Sequence, residues 1–166
     1  SALQTVPADE VVLEVNGLAL FGSFKDVSFK LYKGEVLGLC GVEGSGKEDI
    51  CAVLCGDEAK TLGEITMKGV KQNFASPAEA RRAGILSVPR NRREDGIIGM
   101  LSISENISMT NYQKNAKCHV ISNKRQDENT REWIRKVDIK CSSVNQRANN
   151  LSGGNAQKVI FARVLD

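Results

Sequence analysis

The sequence predicts an α/β fold, and three observations predict it. A nearly continuous apolar run, Val36 to Cys40, leads directly into the glycine-rich stretch Gly41 to Gly46. Apolar residues then recur at helical spacing, at Ile50, Val53 and Leu54. A strand covered on both faces reads as such a run, and the change of period marks the helix that follows it. With 166 residues, 41% hydrophobic and 26% charged, the chain can bury a sizeable core and lacks the bias of a disordered segment.

The elements follow in order. The first ten residues, SALQTVPADE, are polar and contain Pro7, so they read as a linker and the fold is expected to begin near Val11. Val27, Phe29 and Leu31 alternate with Asp26, Ser28 and Lys30, the period of a strand with one wet face, and a turn follows at Lys33 and Gly34. Val36 to Cys40 is the expected buried strand, and the helix after Gly46 is expected to stop at Gly56. Ile65 and Met67 alternate with polar neighbours between Gly63 and Gly69, which predicts a further strand and turn. Ser76, Pro77 and Glu79 form the pattern of a capping box with proline at the first helical position, and Gly84 stands where that helix should end. Ile85 to Val88 reads as another strand, stopped by Pro89. From Ile97 to Asn150 strand alternation is missing and helix-like segments dominate, notably Asp127 to Val137 with Trp133, Ile134 and Val137 on one side. The expected division is a linker at 1–10, a β subdomain with a phosphate-loop core at 11–96, a helical subdomain at 97–150, and a motif with its helix at 151–166.

Composition excludes several function classes. The net charge is +3, and the 23 Lys and Arg are spread along the chain apart from Arg81, Arg82 and the run at 90–93, which is no nucleic-acid footprint. The five cysteines, Cys40, Cys51, Cys55, Cys118 and Cys141, form no CxxC pair and have one histidine, His119, beside them. Metal ligation is therefore not expected, and inert thiols suit a reducing cytosol. No leader-like start is present, and no apolar run approaches the roughly 20 residues needed to span a bilayer, so a membrane role is expected to come through a partner.

Gly41, Val42, Glu43, Gly44, Ser45, Gly46 and Lys47 match the phosphate-loop pattern GxxxxGK, placed between a strand and a helix as the chemistry requires. Glycines let the backbone curl so that its N–H groups converge on phosphate oxygens, the helix start adds its dipole, and Lys47 supplies a point charge. The next residue should carry a hydroxyl to ligate magnesium, but Glu48 and then Asp49 stand there. Two carboxylates in a first helical turn stabilise the helix by about 0.3–1 kcal/mol each. They also repel a polyphosphate, so weakened or magnesium-altered binding of ATP is expected at this loop.

A second motif, Leu151, Ser152, Gly153, Gly154 and Asn155, precedes Ala156, Gln157, Lys158 and an apolar-periodic helix through Ile160, Phe161 and Val164. Alone, Ser-Gly-Gly before a helix is an ordinary N-cap. Joined to a phosphate loop upstream, with a helical insert between, LSGGN resembles the signature of the ABC ATPases. That is a phosphate-loop NTPase family whose α/β core carries an antiparallel β part and a helical insert. The stretches SPAEARRAGI, SVPRNRREDGIIGMLSISENI and LSGGNAQKV resemble those of monosaccharide importer ATPases of the ribose and galactose type. The resemblance covers nearly the whole chain from Val11.

That resemblance implies two nucleotide-binding domains meeting head to tail, the signature of one closing over the nucleotide held by the other. The acidic residues after Lys47 and the linker-like start make this chain look like the second domain of such a pair, with a poor site at Lys47 and an intact signature for the first domain's site. The resemblance puts Arg90 where the family has a Gln, or in these importers often a Glu, and a guanidinium cannot coordinate magnesium. Phe21 or Phe24 is a candidate to stack on adenine. The chain is expected to stop at Asp166 ahead of the apolar strand ending in Asp-Glu, so no catalytic residue and no metal ligand is assigned, and His119 does not replace the family's switch histidine.

The implied partners are the first nucleotide-binding domain and the transporter's membrane subunits at the cytoplasmic face of the plasma membrane, with no nucleic acid. Without its neighbouring strand, the Val36–Cys40 strand is expected to expose backbone donors and acceptors and to favour self-association. Glu48, Arg90 and the absent carboxylate strand leave a second reading open, a regulatory or scaffolding module without turnover. A DNA-repair ABC ATPase would need a long heptad-bearing insertion, and the insert here is short and unpatterned.

Overall fold

In the computed structural model, which describes residues 9–112, 116–117 and 120–166, the chain divides into two units, one ending at Leu86 and the other beginning at Ser87. Pro7, Cys118 and His119 lie outside the described residues.

The first unit is built on an antiparallel sheet. Its strands are β1 (Val11–Leu20), β2 (Phe24–Tyr32), β3 (Leu62–Met67) and β4 (Val70–Gln72), in the order β2-β1-β3-β4. Val15 lies opposite Phe29 in β2 and Ile65 in β3, which places their side chains on one face. In β2 the half-buried Val27, Phe29 and Leu31 alternate with exposed neighbours, as the period predicts. The buried face of β1, with Leu13, Val15 and Leu18, packs with Phe24, Ile50, Val53, Leu54, Ile65 and Phe74. Helix α1 (Lys47–Cys55) is held on that core by Ile50, Val53 and Leu54. It ends where expected, at Gly56, whose φ of 76° and close approach to the Ser76 backbone leave no room for a side chain.

Three expectations in this unit need correction. Val36 to Cys40 is not a strand and is exposed throughout, with Val36 at 95%. Ile85 to Val88 is not a strand either, and Leu86 and Val88 are exposed. The reason is common to both: a strand needs a neighbour to share its hydrogen bonds, and among the described residues neither segment has one. Helix α2 (Pro77–Ala83) starts and stops as expected, at Ser76 and Gly84, but its capping box is not formed. The Ser76 side chain makes no cap, and Glu79 Oε2 instead accepts the Ala75 N–H at 2.8 Å.

The second unit is mainly helical. Helices α3 (Ile103–Ser108), α4 (Asn123–Lys136) and α5 (Gly153–Leu165) enclose a core of Ile103, Ile107, Ile139, Leu151, Ala156, Val159 and Ala162. Trp133, Ile134 and Val137 pack against that core, as their spacing predicts. Helix α4 begins before Asp127, at Ser122, whose hydroxyl accepts from the Arg125 N–H. The stretch read as helical also holds a two-stranded ladder, β5 (Ala116–Lys117) with β6 (Val120–Ile121). The capping box missing at Ser76 is present at α3. Ser102 Oγ accepts from the Glu105 N–H at 3.1 Å, and Glu105 Oε2 accepts from the Ser102 N–H at 2.8 Å. The Ser102 N–H, and then the Ser102 hydroxyl, which also donates to Glu105 Oε2 at 2.7 Å, hold the Glu105 carboxyl below the usual carboxylate range. Burial pushes the Cys141 thiol up, so its reactive thiolate is disfavoured.

Candidate functional site

The phosphate loop leaves the exposed segment at Gly41 and curls into α1. Gly44 and Gly46 hold φ of 76° and 79°, in the left-handed region that glycine allows at no steric cost. The Ser45 N–H closes a turn on Val42 O at 3.2 Å, and the Ile50 N–H reaches Gly46 O at 3.0 Å. A Cβ on Gly41 would run into the Ser45 side chain, and one on Gly46 would lie 2.7 Å from Ser23 Oγ. The glycines therefore serve close packing of the curl as well as its dihedrals. Gly41 to Ser45 is exposed, and no side chain caps the start of α1, so its first amides remain available to an anion.

The charged residues of the loop are engaged with one another. Lys47 Nζ lies 3.0 Å from Glu48 Oε1 and donates to Val42 O at 3.2 Å. The cation expected to meet a phosphate is thus already paired. Asp49 accepts a hydrogen bond from Ser23 Oγ across the β1–β2 turn. That contact joins residues 26 apart and left no signal in the sequence. The two aromatic candidates separate: Phe24 is buried in the core at 7%, while Phe21 stands 87% exposed on the turn, its N–H bonded to Thr61 Oγ1 at 3.0 Å. Phe24 is therefore no stacking residue.

The exposed curl and the uncapped start of α1 suit a phosphate. No hydroxyl follows Lys47, Glu48 is paired, and among the described residues no cluster of three metal-ligating side chains occurs.

The second unit presents the other motif. Ser152 is the N-cap residue of α5, yet its side chain makes no cap, and Ser152 and Gly154 are exposed. Asn155 orients the start: its Oδ1 accepts the Lys140 N–H at 2.9 Å and its Nδ2 donates to Ser152 Oγ at 3.0 Å. Because that hydroxyl oxygen accepts, its proton is left to be donated outward. A Cβ on Gly154 would meet nothing within 4 Å, so the glycine leaves open space beside the helix start. Leu151 is buried in the core and anchors the motif from below. Arg90 is exposed and lies, with Asn91, in the bend that leads into a π-turn, Arg92–Gly96.

Arg92 is a residue that sequence reading missed. It was visible only as one member of a basic run, yet its Nη1 donates to Gln157 Oε1 at 2.8 Å on α5.

Residues 24–166 match the family described as ABC transporter. The chain belongs to that family. Among curated proteins, the ribose import ATP-binding protein RbsA of Clostridium tetani is 35% identical over 159 residues, covering 95% of this chain and 32% of that protein. The xylose import ATP-binding protein XylG of Thermoanaerobacter pseudethanolicus is 32% identical over 164 residues, covering 94% and 32%. The chain thus spans about a third of the length of the curated relatives it matches. Among solved structures, the dimeric structure of MJ0796, a bacterial ABC transporter cassette, matches with a TM-score of 0.71 at 21% identity, over 92% of this chain and 68% of that one. MJ1267, an ATP-binding cassette of an ABC transporter, matches with a TM-score of 0.72 at 22% identity, over 93% and 64%. The fold is that of an ABC ATPase cassette, an α/β phosphate-loop NTPase with an antiparallel sheet. Among the described residues no helix is long and apolar enough to cross a membrane.

Proposed function

We propose that this chain is part of the ATP-binding subunit of a sugar-importing ABC transporter, with a poor nucleotide site of its own and a working signature. The observation that carries this reading is the contrast between the helix starts at its two motifs, neither of which has a side-chain cap. At α1, Glu48 neutralises Lys47 and Asp49 is tied to Ser23. At α5, Ser152 and Gly154 are exposed with no carboxylate in the first turn. Two like charges beside a polyphosphate cost affinity, whereas an open helix start with a serine donor favours an anionic oxygen.

In this reading Ser152, Gly153, Gly154 and Asn155 complete the ATP site of a partner cassette, and Gly41 to Lys47 hold a nucleotide weakly with altered magnesium dependence. Arg90 occupies a position from which magnesium is not coordinated. The exposure of Phe21 supports it as the candidate to stack on adenine. Sugar import follows from the relatives named ribose and xylose import ATP-binding proteins. The partners are then a first nucleotide-binding domain and membrane subunits, at the cytoplasmic face of the plasma membrane. The expected domain division, with the helical subdomain at 97–150 and the signature with its helix at 151–166, belongs to the same proposal.

A second reading, a regulatory nucleotide-binding or scaffolding domain without turnover, is favoured by the Lys47–Glu48 pair alone. The discriminating experiment compares Lys47→Ala with Ser152→Ala in the assembled transporter. Greater damage from the serine change supports the signature reading, and equal tolerance of both supports the scaffold. The chain by itself is expected to show no ATP hydrolysis above background.

A further inference from the structure

The π-turn Arg92–Gly96 lies along one face of α5 and is fastened to it at three points. At its start, Arg92 Nη1 donates to Gln157 Oε1 at 2.8 Å, and the guanidinium lies beside the first turn, where a Cβ on Gly153 would be in ordinary contact with Nη2 at 3.4 Å. At its end, the Gly96 carbonyl accepts from the Arg163 guanidinium. Between them Gly96 presses on the fully buried Ile160, leaving no space for a methyl group. Gly153, Gln157, Ile160 and Arg163 recur at three- and four-residue spacing, so they form one helix face.

Helix stability does not account for the upper contact. A cation at a helix N-terminus opposes the helix dipole. Lys158, in the same turn, is balanced by Asp138 at 3.2 Å, whereas the described partner of Arg92 is the neutral carboxamide of Gln157. The guanidinium stands beside the first turn at an electrostatic cost.

We propose that Arg92 is a positioning residue of the signature, acting through Gln157 to hold the start of α5 in the orientation that its amides and Ser152 need. This rests on the reading that α5 faces a nucleotide in trans. The clamp makes residues 92–96 and the signature helix one mechanical piece, so that any displacement of the segment after Arg90 is carried to Ser152.

The test uses the transporter ATP-binding polypeptide that contains this chain, assembled with its partner cassette. Arg92→Ala should lower kcat about tenfold at saturating ATP and change KM for ATP less than about twofold, because alignment is lost rather than nucleotide binding. Gln157→Met keeps the length and helix propensity and removes the acceptor, so it should give the same loss. The double variant should lose no more than either single change, as members of one contact do. Arg92→Lys combined with Gln157→Glu restores a charged pair across the gap and should recover most of the turnover. Unchanged turnover in Gln157→Met, or additive losses in the double variant, overturns the clamp, and Gln157→Met carries the test where Arg92→Ala does not fold. Ser152→Ala run in parallel separates the failures. A harmless Ser152→Ala sinks the signature reading, whereas a damaging one beside an intact Arg92→Ala and Gln157→Met sinks only the clamp.

Discussion

The starts of α1 and α5 differ in backbone and in charge: the N-cap Gly46 is left-handed with Glu48 and Asp49 in the turn that follows, whereas Ser152 is extended and no carboxylate follows it. Each follows a glycine-bearing motif, and neither carries a side-chain cap. By contrast α3 and α4 are capped by Ser102 and Ser122. Helix α2, at neither motif, is also uncapped by its Ser76 side chain, so an open start is not by itself the mark of a motif and the charges beside it carry the comparison. At α1 the opening is offset by Glu48 and Asp49, and at α5 it is not. The lesson is that the glycine curl is held by packing against Ser23 and Ser45, whatever charges follow it.

The largest expected effect breaks the comparison at its functional end. In the assembled transporter, Ser152→Ala should cut turnover about a hundredfold, the usual scale for losing a preorganised donor at a developing charge. Lys47→Ala should cost less than about threefold, since its ammonium is already paired. Steady-state ATPase rates check both, and a larger loss at Lys47 would reverse the assignment of the two sites.

Next in size, Glu48→Thr frees the Lys47 ammonium and supplies the missing hydroxyl. Calorimetry of the chain with magnesium and ATP should show binding about tenfold tighter than in the parent, equivalent to about 1.4 kcal/mol. Tight binding in the parent that this change leaves unimproved would remove the electrostatic account.

Two glycine substitutions sharpen the contrast through stability. Gly46→Ala forces a side chain into φ of 79° and against Ser23 and Phe24, so it should destabilise the chain by about 2 kcal/mol. Gly154→Ala enters open space within a helix and should stabilise the chain by up to about 1 kcal/mol while lowering turnover. Denaturant melts and ATPase rates together read both, and loss of stability in Gly154→Ala would show that the glycine serves the fold rather than a ligand.

The smallest effect concerns a closed helix end. The Glu105 carboxyl is held low by Ser102, so its contribution to stability is fully present above the ordinary carboxylate pKa and is lost as pH falls through its depressed folded value. Thermal melts should show the parent losing stability as pH falls below the ordinary carboxylate value, and Glu105→Gln losing less over the same range. Parallel losses in the two chains would mean that Glu105 contributes nothing to the acid transition.

The elements legible in the sequence were those whose signals are local. The β2 alternation, the stop of α1 at Gly56 and the limits of α2 at Ser76 and Gly84 follow from period and backbone chemistry, and all are present. The same Ser-x-x-Glu pattern read at Ser76 also occurs at Ser102, and the box forms only at the second. The pattern supplies the groups, but the backbone around them decides whether they meet. Val36 to Cys40 and Ile85 to Val88 were misread for a related reason: apolar runs announce a wish to be covered, and pairing depends on what lies beside them.

By itself, the sequence named the two segments proposed to hold anions. The residues Gly41 to Lys47 and Leu151 to Asn155, with Glu48 and Asp49 as the discordant pair, name the two sites and the chemistry that separates them. Tertiary structure alone decided which partners those residues take. The Asp49–Ser23 bond, the Asn155 links to Lys140 and Ser152, and the Arg92–Gln157 contact join positions from 3 to 65 residues apart. A hydrogen bond depends on a few tenths of an ångström and on direction, and only the packed backbone sets those.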